Sequence, residues 1–229
     1  MLSIGKITED IINRSPFLRE AMSENLINVS SLARKIKPEI EELIGGEVKE
    51  GAIVMAIKRM SPGVFHKVSL KLVSAIGNLG DFLVRNDLID FTFQNTVSVN
   101  KDQATELMTL LESEPEGFYT ISRGVTETTI ITSTHLKEPL LELLKDGHLK
   151  SVNENLASIT VKLPKANIEL YGIYYYLLKH LAWEGLNIMQ IVSTAHEFTI
   201  VLKQEDIERA FKVLIQLKQN NKIRIIKVN

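Results

Sequence analysis

Gly185-Leu186-Asn187-Ile188-Met189-Gln190-Ile191-Val192-Ser193-Thr194-Ala195-His196-Glu197-Phe198-Thr199-Ile200-Val201-Leu202 decides the fold of this chain. It reads as two short strands, Asn187 to Ser193 and Phe198 to Leu202, meeting at a tight polar turn. Working outward, Tyr171 to Trp183 is apolar at helical spacing, and Ser158 to Leu163 before it alternates as a strand does. Beyond the hairpin, Glu205 to Leu217 is helical and Ile223 to Val228 reads as a last strand. The order is βαββαβ, the ferredoxin-like arrangement.

The same order is predicted once more upstream. Phe82 to Phe93 reads as a strand, Lys101 to Leu111 as a helix, Gly117 to Arg123 and Thr128 to Thr134 as β-branched strands, and Leu136 to Leu144 as a helix ended by Gly147. Leu149 to Asn153 is a short strand. Two copies of one unit, sharing order more than identity, account for residues 81–155 and 156–229. In the second copy Phe198, Ile200 and Leu202 lie on one side of a strand, with Thr199 and Val201 on the other. Neither side is charged, so both faces are expected to be covered, within the chain or between chains.

Residues 1 to about 80 read as a helical bundle. Ser15-Pro16 sets a capping hydroxyl before a proline suited to the first helical turn. A segment from Val29 to Ile36 follows, Pro38 restarts a helix through Ile40, Leu43 and Ile44, and Gly45-Gly46 stops it. Val48 to Met60 is a further helix ended by Ser61-Pro62-Gly63, while Val64 to Val73 fits strand and helix alike. The fold class is α+β: an N-terminal helical domain of winged-helix-like shape (1–80), then two ferredoxin-like units (81–155 and 156–229).

Composition narrows function. The 229 residues carry 27 basic and 28 acidic side chains, a formal charge of -1, so no global field selects nucleic acid or an anionic membrane. With no cysteine, disulfides, thiolate metal sites and cysteine nucleophiles are excluded. Lys6, Glu9, Asp10 and Arg14 interrupt the first fourteen residues, unlike a signal peptide, and no apolar run approaches a membrane span. A cytoplasmic protein without membrane partners is expected.

The sequence offers no reactive constellation. His66, His135, His148, His180 and His196 are scattered without ligand spacing, so no metal is expected. Gly45-Gly46 and Gly77-Asn78-Leu79-Gly80 in turn lack the strand, lysine and acidic residues of a phosphate cradle. No catalytic residue and no cofactor is assigned; the protein reads as a non-enzyme. Tyr174, Tyr175 and Tyr176 ride a helix whose inner face is Leu170, Ile173, Leu177 and Leu181. Trp183 reads as a core or interface anchor, and His196 as a solvated turn residue.

Gly172 opening a helix, the aromatic-rich Ile173 to Leu181, Leu186-Asn187-Ile188 entering a strand, Ile191 with Ser193-Thr194, and Phe198 to Leu202 followed by Glu205 to Phe211 together resemble the regulatory ACT domain of aspartate kinases. The likeness covers residues 156–229; residues 81–155 share only the element order. What it implies is a small effector, often an amino acid, bound between two ACT units by the loop entering the first helix and by a neighbouring strand. Carried onto this chain, the ligand-binding residues are Asn167, Ile168, Glu169, Tyr171, Gly172 and Ile173, with Asn187 and Ile188 on the strand Asn187 to Gln190. Glu169 departs from the cationic surroundings a carboxylate wants: either Lys165 offsets it or it reads an ammonium. A ligand-free alternative has Asn167 capping the helix and Glu169 complementing its dipole. The resemblance also implies homo-oligomers through ACT units.

Two other functions fit the parts. Val29-Ser30-Ser31-Leu32-Ala33-Arg34-Lys35-Ile36 followed by Pro38-Glu39-Ile40-Glu41-Glu42-Leu43 is similar to a helix-turn-helix, which would make an amino-acid-responsive DNA-binding transcription regulator. Glu39, Glu41 and Glu42 on the reading element disfavour DNA, since phosphate neutralisation dominates that affinity. The third reading is an accessory regulatory subunit of a separate enzyme.

Overall fold

The computed structural model describes residues 3–60, 71–95, 101–113, 117–145 and 148–228. The expected stop at Ser61-Pro62-Gly63, the ambiguous stretch through residue 70 and the helix end at Gly147 lie outside them. The chain forms two compact units, Met1–Leu72 and Val73–Asn229.

Among its described residues the first unit has helices and no strand. Helix α1 (Ile4–Asn13), α2 (Pro16–Ser23), α3 (Val29–Ile44) and α4 (Glu50–Arg59) follow one another through short connections. Each of the first three starts at a side-chain cap: Ser3 accepts from the Lys6 N–H, Ser15 from Leu18, and Asn28 from Ser31. Ile7, Ile11 and Ile12 of α1 meet Leu32, Ala33, Ile36 and Ile40 of α3 and Ile53 and Ile57 of α4 in one buried cluster. The break expected before Pro38 does not exist. Helix α3 runs unbroken through that proline, because Leu32, Ala33, Ile36 and Ile40 form one buried stripe on both sides of it. The helix-turn-helix reading therefore loses its turn.

Residues 71–77 are helical (α5), the last five of them in the second unit. The strands are β1 (Phe82–Gln94), β2 (Thr120–Arg123), β3 (Glu127–Ser133), β4 (His148–Lys162), β5 (Ile188–Ser193) and β6 (Glu197–Lys203). Helices α6 (Lys101–Leu111), α7 (Lys137–Leu143), α8 (Ile173–Trp183) and α9 (Ile207–Val228) complete it. All six strands join one antiparallel sheet in the order β2-β3-β1-β4-β6-β5. The two long central strands do double duty. The end of β1, Leu88 to Gln94, pairs with both β3 and the start of β4, whereas Phe82 to Arg85 pairs with Ser158 to Val161.

That pairing corrects the expected last strand. Residues 223–228 continue α9, and the position beside β4 belongs to Phe82–Arg85. Nothing from 204 to 228 is glycine or proline, so no local signal stops the helix. Gly80 leads the chain into this position: its N–H donates to the Lys162 carbonyl at 2.8 Å, and a Cβ there would lie 2.7 Å from that of Lys162. Helix α9 then locks the strand, with Phe211 edge-on to Phe82 and the Lys218 ammonium on the Gly80 carbonyl at 2.9 Å.

The sheet has a core on each face. Ile89, Phe91, Phe93 and Ile130 pack with Leu107 and Leu111 of α6 and with Leu140 of α7. On the other face, Leu88, Ile131, Leu156 and Val201 cluster under Phe118 and Met189. The cover expected for both faces of Phe198 to Leu202, all buried, is thus in part supplied by the chain itself.

Candidate effector site at the mouth of helix α8

A single turn of 3-10 helix, Lys165–Glu169, links β4 to α8. Pro164 starts it, since the Asn167 N–H donates to the Pro164 carbonyl at 2.8 Å and Leu170 donates to the Asn167 carbonyl at 3.1 Å. Gly172 ends the connection with φ 88°, a left-handed conformation in which a side chain is strained. Its carbonyl accepts from Tyr176, the first bond of α8.

Asn167 does not cap α8. The helix has no side-chain cap, so Asn167 does not fill the capping role of the ligand-free reading. Instead the Asn167 amide nitrogen donates to the Ala195 carbonyl at 3.3 Å, tying the loop to the β5–β6 turn. That residue is 8% exposed, and its Oδ1 is buried with no hydrogen-bond partner. A second tie, from the Leu163 N–H to the His196 carbonyl at 2.8 Å, fixes the same turn. His196 itself is exposed, as a turn residue should be.

Helix α8 thus starts with uncapped N–H groups at its positive dipole end, and the loop that leads into it carries a buried, unpartnered acceptor. Lys165 and Glu169 stand exposed on the same loop, one charge of each sign. Tyr171 is 80% exposed, while Ile173 is buried with Leu177 and Leu181 on the inner face of α8. Tyr174 closes one flank, its hydroxyl 2.7 Å from Ser193 Oγ and its ring 5.2 Å from that of Phe198. The Ile168 side chain lies outside the described set.

The remaining predicted residues sit elsewhere. Ile188 opens β5 opposite Leu202, and Asn187 precedes it, exposed. Ser193, beside Tyr174, ends the same strand; at the rise of a β-strand the two ends are about 17 Å apart. One copy of the chain does not bring Asn187 and Ile188 to the α8 mouth. Trp183 is 75% exposed, so it anchors no core. Among the described residues no group of three or more His, Asp or Glu side chains is placed to hold a metal, and no helix is long and apolar enough to cross a membrane. In the helical unit Glu39 pairs with Arg14 at 2.6 Å and Glu41 with Lys37 at 3.4 Å.

Sequence reasoning passed over Asp90. It is 1% exposed on central strand β1, and its Oδ2 accepts from Gln190 Nε2 of edge strand β5 at 3.4 Å. The available signal was a lone carboxylate inside the run Leu88-Ile89-Asp90-Phe91-Thr92-Phe93.

No protein-family profile matches this chain, and no curated protein matches it. Solved structures do. The aspartate kinase of Clostridium acetobutylicum superposes with a TM-score of 0.51 at 14% identity, covering 62% of this chain and 35% of that one. The chain thus spans about a third of the length of that enzyme. The ligand-free regulatory subunit of aspartate kinase from Thermus thermophilus gives a TM-score of 0.47 at 14% identity over 61% of this chain and 98% of that one. E. coli aspartokinase III in complex with lysine and aspartate gives 0.45 at 17% identity, over 62% and 33%. At the level of fold, the greater part of this chain is similar to about a third of an aspartate kinase.

Proposed function

We propose that this protein is a non-enzymatic regulatory module that takes a small effector, an amino acid in the first instance, at the mouth of α8. The observation that carries the reading is the conjunction of an uncapped helix start at Gly172 with the unpartnered amide oxygen of Asn167. Free N–H groups and a helix dipole favour a carboxylate, and an amide oxygen accepts from an ammonium. A molecule carrying both groups close together is an amino acid. Lys165 and Glu169 flank the opening to select among side chains.

We read the sheet as two ACT-like units that share the long strands β1 and β4, preceded by the helical unit. Asn187 and Ile188 then serve a site completed by a neighbouring ACT-like unit, and pairing of two copies supplies it. The Clostridium acetobutylicum enzyme is described as allosteric; a module of the same fold suits control rather than bond chemistry. DNA contact gains no support, because the reading turn is missing and Glu39 and Glu41 of α3 occupy Arg14 and Lys37, cations that a phosphate would need.

Thermal shift against a panel of amino acids tests the reading. A ligand at a hundred times its dissociation constant adds about 2.7 kcal/mol of stability. A panel with no shift would remove it.

A further inference from the structure

Strands β1 and β5 are separated in the sheet by β4 and β6. At the usual interstrand spacing a flat sheet would hold them about 14 Å apart, farther than an aspartate and a glutamine side chain bridge. Yet Gln190 Nε2 lies 3.4 Å from Asp90 Oδ2. The sheet therefore curls, with Asp90 on its inner side. Phe118, just before edge strand β2, and Met189 of β5 pack on the same Leu88, Ile131, Leu156 and Val201 cluster, which shows independently that both edges bend inward.

The register explains how an edge glutamine comes to point inside. The β5–β6 pairing shifts between Ile188 and Gln190, so Met189 is an unpaired bulge residue that re-aims its neighbour. Gln190 then joins Thr92, whose hydroxyl lies 3.4 Å from Asp90 Oδ1, and Asn153 as neutral donors to the buried carboxylate. The Arg85 guanidinium is turned over the Phe118 ring, 5.6 Å from its centroid.

We propose that Asp90 is a positioning residue for β5: through Gln190 its carboxylate holds the bulged segment Ile188–Gln190 in place and couples it to the central strand. This rests on the effector reading only in its consequence, since Ile188 belongs to the held segment, Asn187 directly precedes it, and their aim sets ligand affinity. The clasp itself is a property of the free protein.

Two variants test it. Gln190→Met keeps the length of the side chain and removes the donor; Asp90→Asn keeps an acceptor in the same place. Amide hydrogen exchange of the ligand-free chain is expected to rise about tenfold or more across residues 188–193 in Gln190→Met, with β3 unchanged, and to stay near wild type in Asp90→Asn. A β5 that exchanges equally in Gln190→Met and wild type would overturn the clasp, whatever the ligand. If Gln190→Met loosens β5 and the wild-type chain still binds no amino acid, the clasp stands and the effector reading falls.

Discussion

Leu88 and Leu156 stand opposite each other at the centre of the sheet, each 1% exposed, and each is preceded by a residue with positive φ, Asp87 at 54° and Asn155 at 57°. The β1–β4 register shifts on either side of this pair. Two bulges, one on each strand, thus bend the longest strands of the molecule about a common centre, where each strand passes from one half of the sheet to the other.

Substitution at Asn155 should follow from that backbone. Asn155→Gly is expected to leave stability near wild type, because glycine enters the left-handed region freely. A β-branched Asn155→Val is expected to cost about 1–2 kcal/mol. Urea denaturation of the two variants measures the difference; equal stabilities would mean the bulge is not held as described.

Pro38 sits exposed inside α3 and supplies no N–H to it. Pro38→Ala restores that donor and removes the clash of the ring with the preceding turn, so the helical unit should gain about 1–3 kcal/mol. Thermal unfolding checks this, and a loss of stability would show that the proline is required where it stands.

Two carboxylates should give opposite pH dependences. Burial pushes the Asp90 pKa above the ordinary value of 3.8, against the pull of Gln190, Thr92 and Asn153. Its neighbours Ile131 on β3, Asn153 on β4 and Gln190 on β5 carry no charge. The folded state therefore holds the proton more tightly than the unfolded one, and stability falls as pH rises from 3.8 through the raised value. Asp90→Asn should remove that slope and raise the melting temperature at neutral pH. For Glu41 the sign reverses: the Val48 N–H at 2.9 Å, and then Lys37, hold its pKa below 4.5. Its contribution is present above 4.5 and is lost as pH falls through the lowered value. Glu41→Gln should flatten the acid limb of the helical unit's melting curve. A melting temperature of Asp90→Asn that tracks wild type at every pH would refute the first half of this prediction.

The β5–β6 hairpin and α8 were legible because their signals are local: period-two alternation around a polar turn, and a glycine where a positive φ opens the helix. The fourth strand beside β4 was not. Phe82 to Arg85 and Ile223 to Val228 both carry strand-forming residues, and the choice between them is made by Gly80, Lys162 and Phe211, which meet only in the fold. Pro38 misled in the other direction, since a buried stripe overrode a local breaker. In the candidate site the loop from Asn167 to Ile173 was readable from Gly172. The tie from Asn167 to Ala195, and the reach of Gln190 to Asp90 across two strands, depend on how the sheet curls, and no spacing along the chain encodes that.

Amide chemical-shift mapping of the chain with the amino acid that stabilises it most addresses effector binding at the mouth of α8 directly. The account predicts perturbations concentrated at residues 165–173 and, in the oligomer, at 187–190. Shifts confined to residues 1–72, or a spectrum unchanged by every amino acid at millimolar concentration, would contradict it.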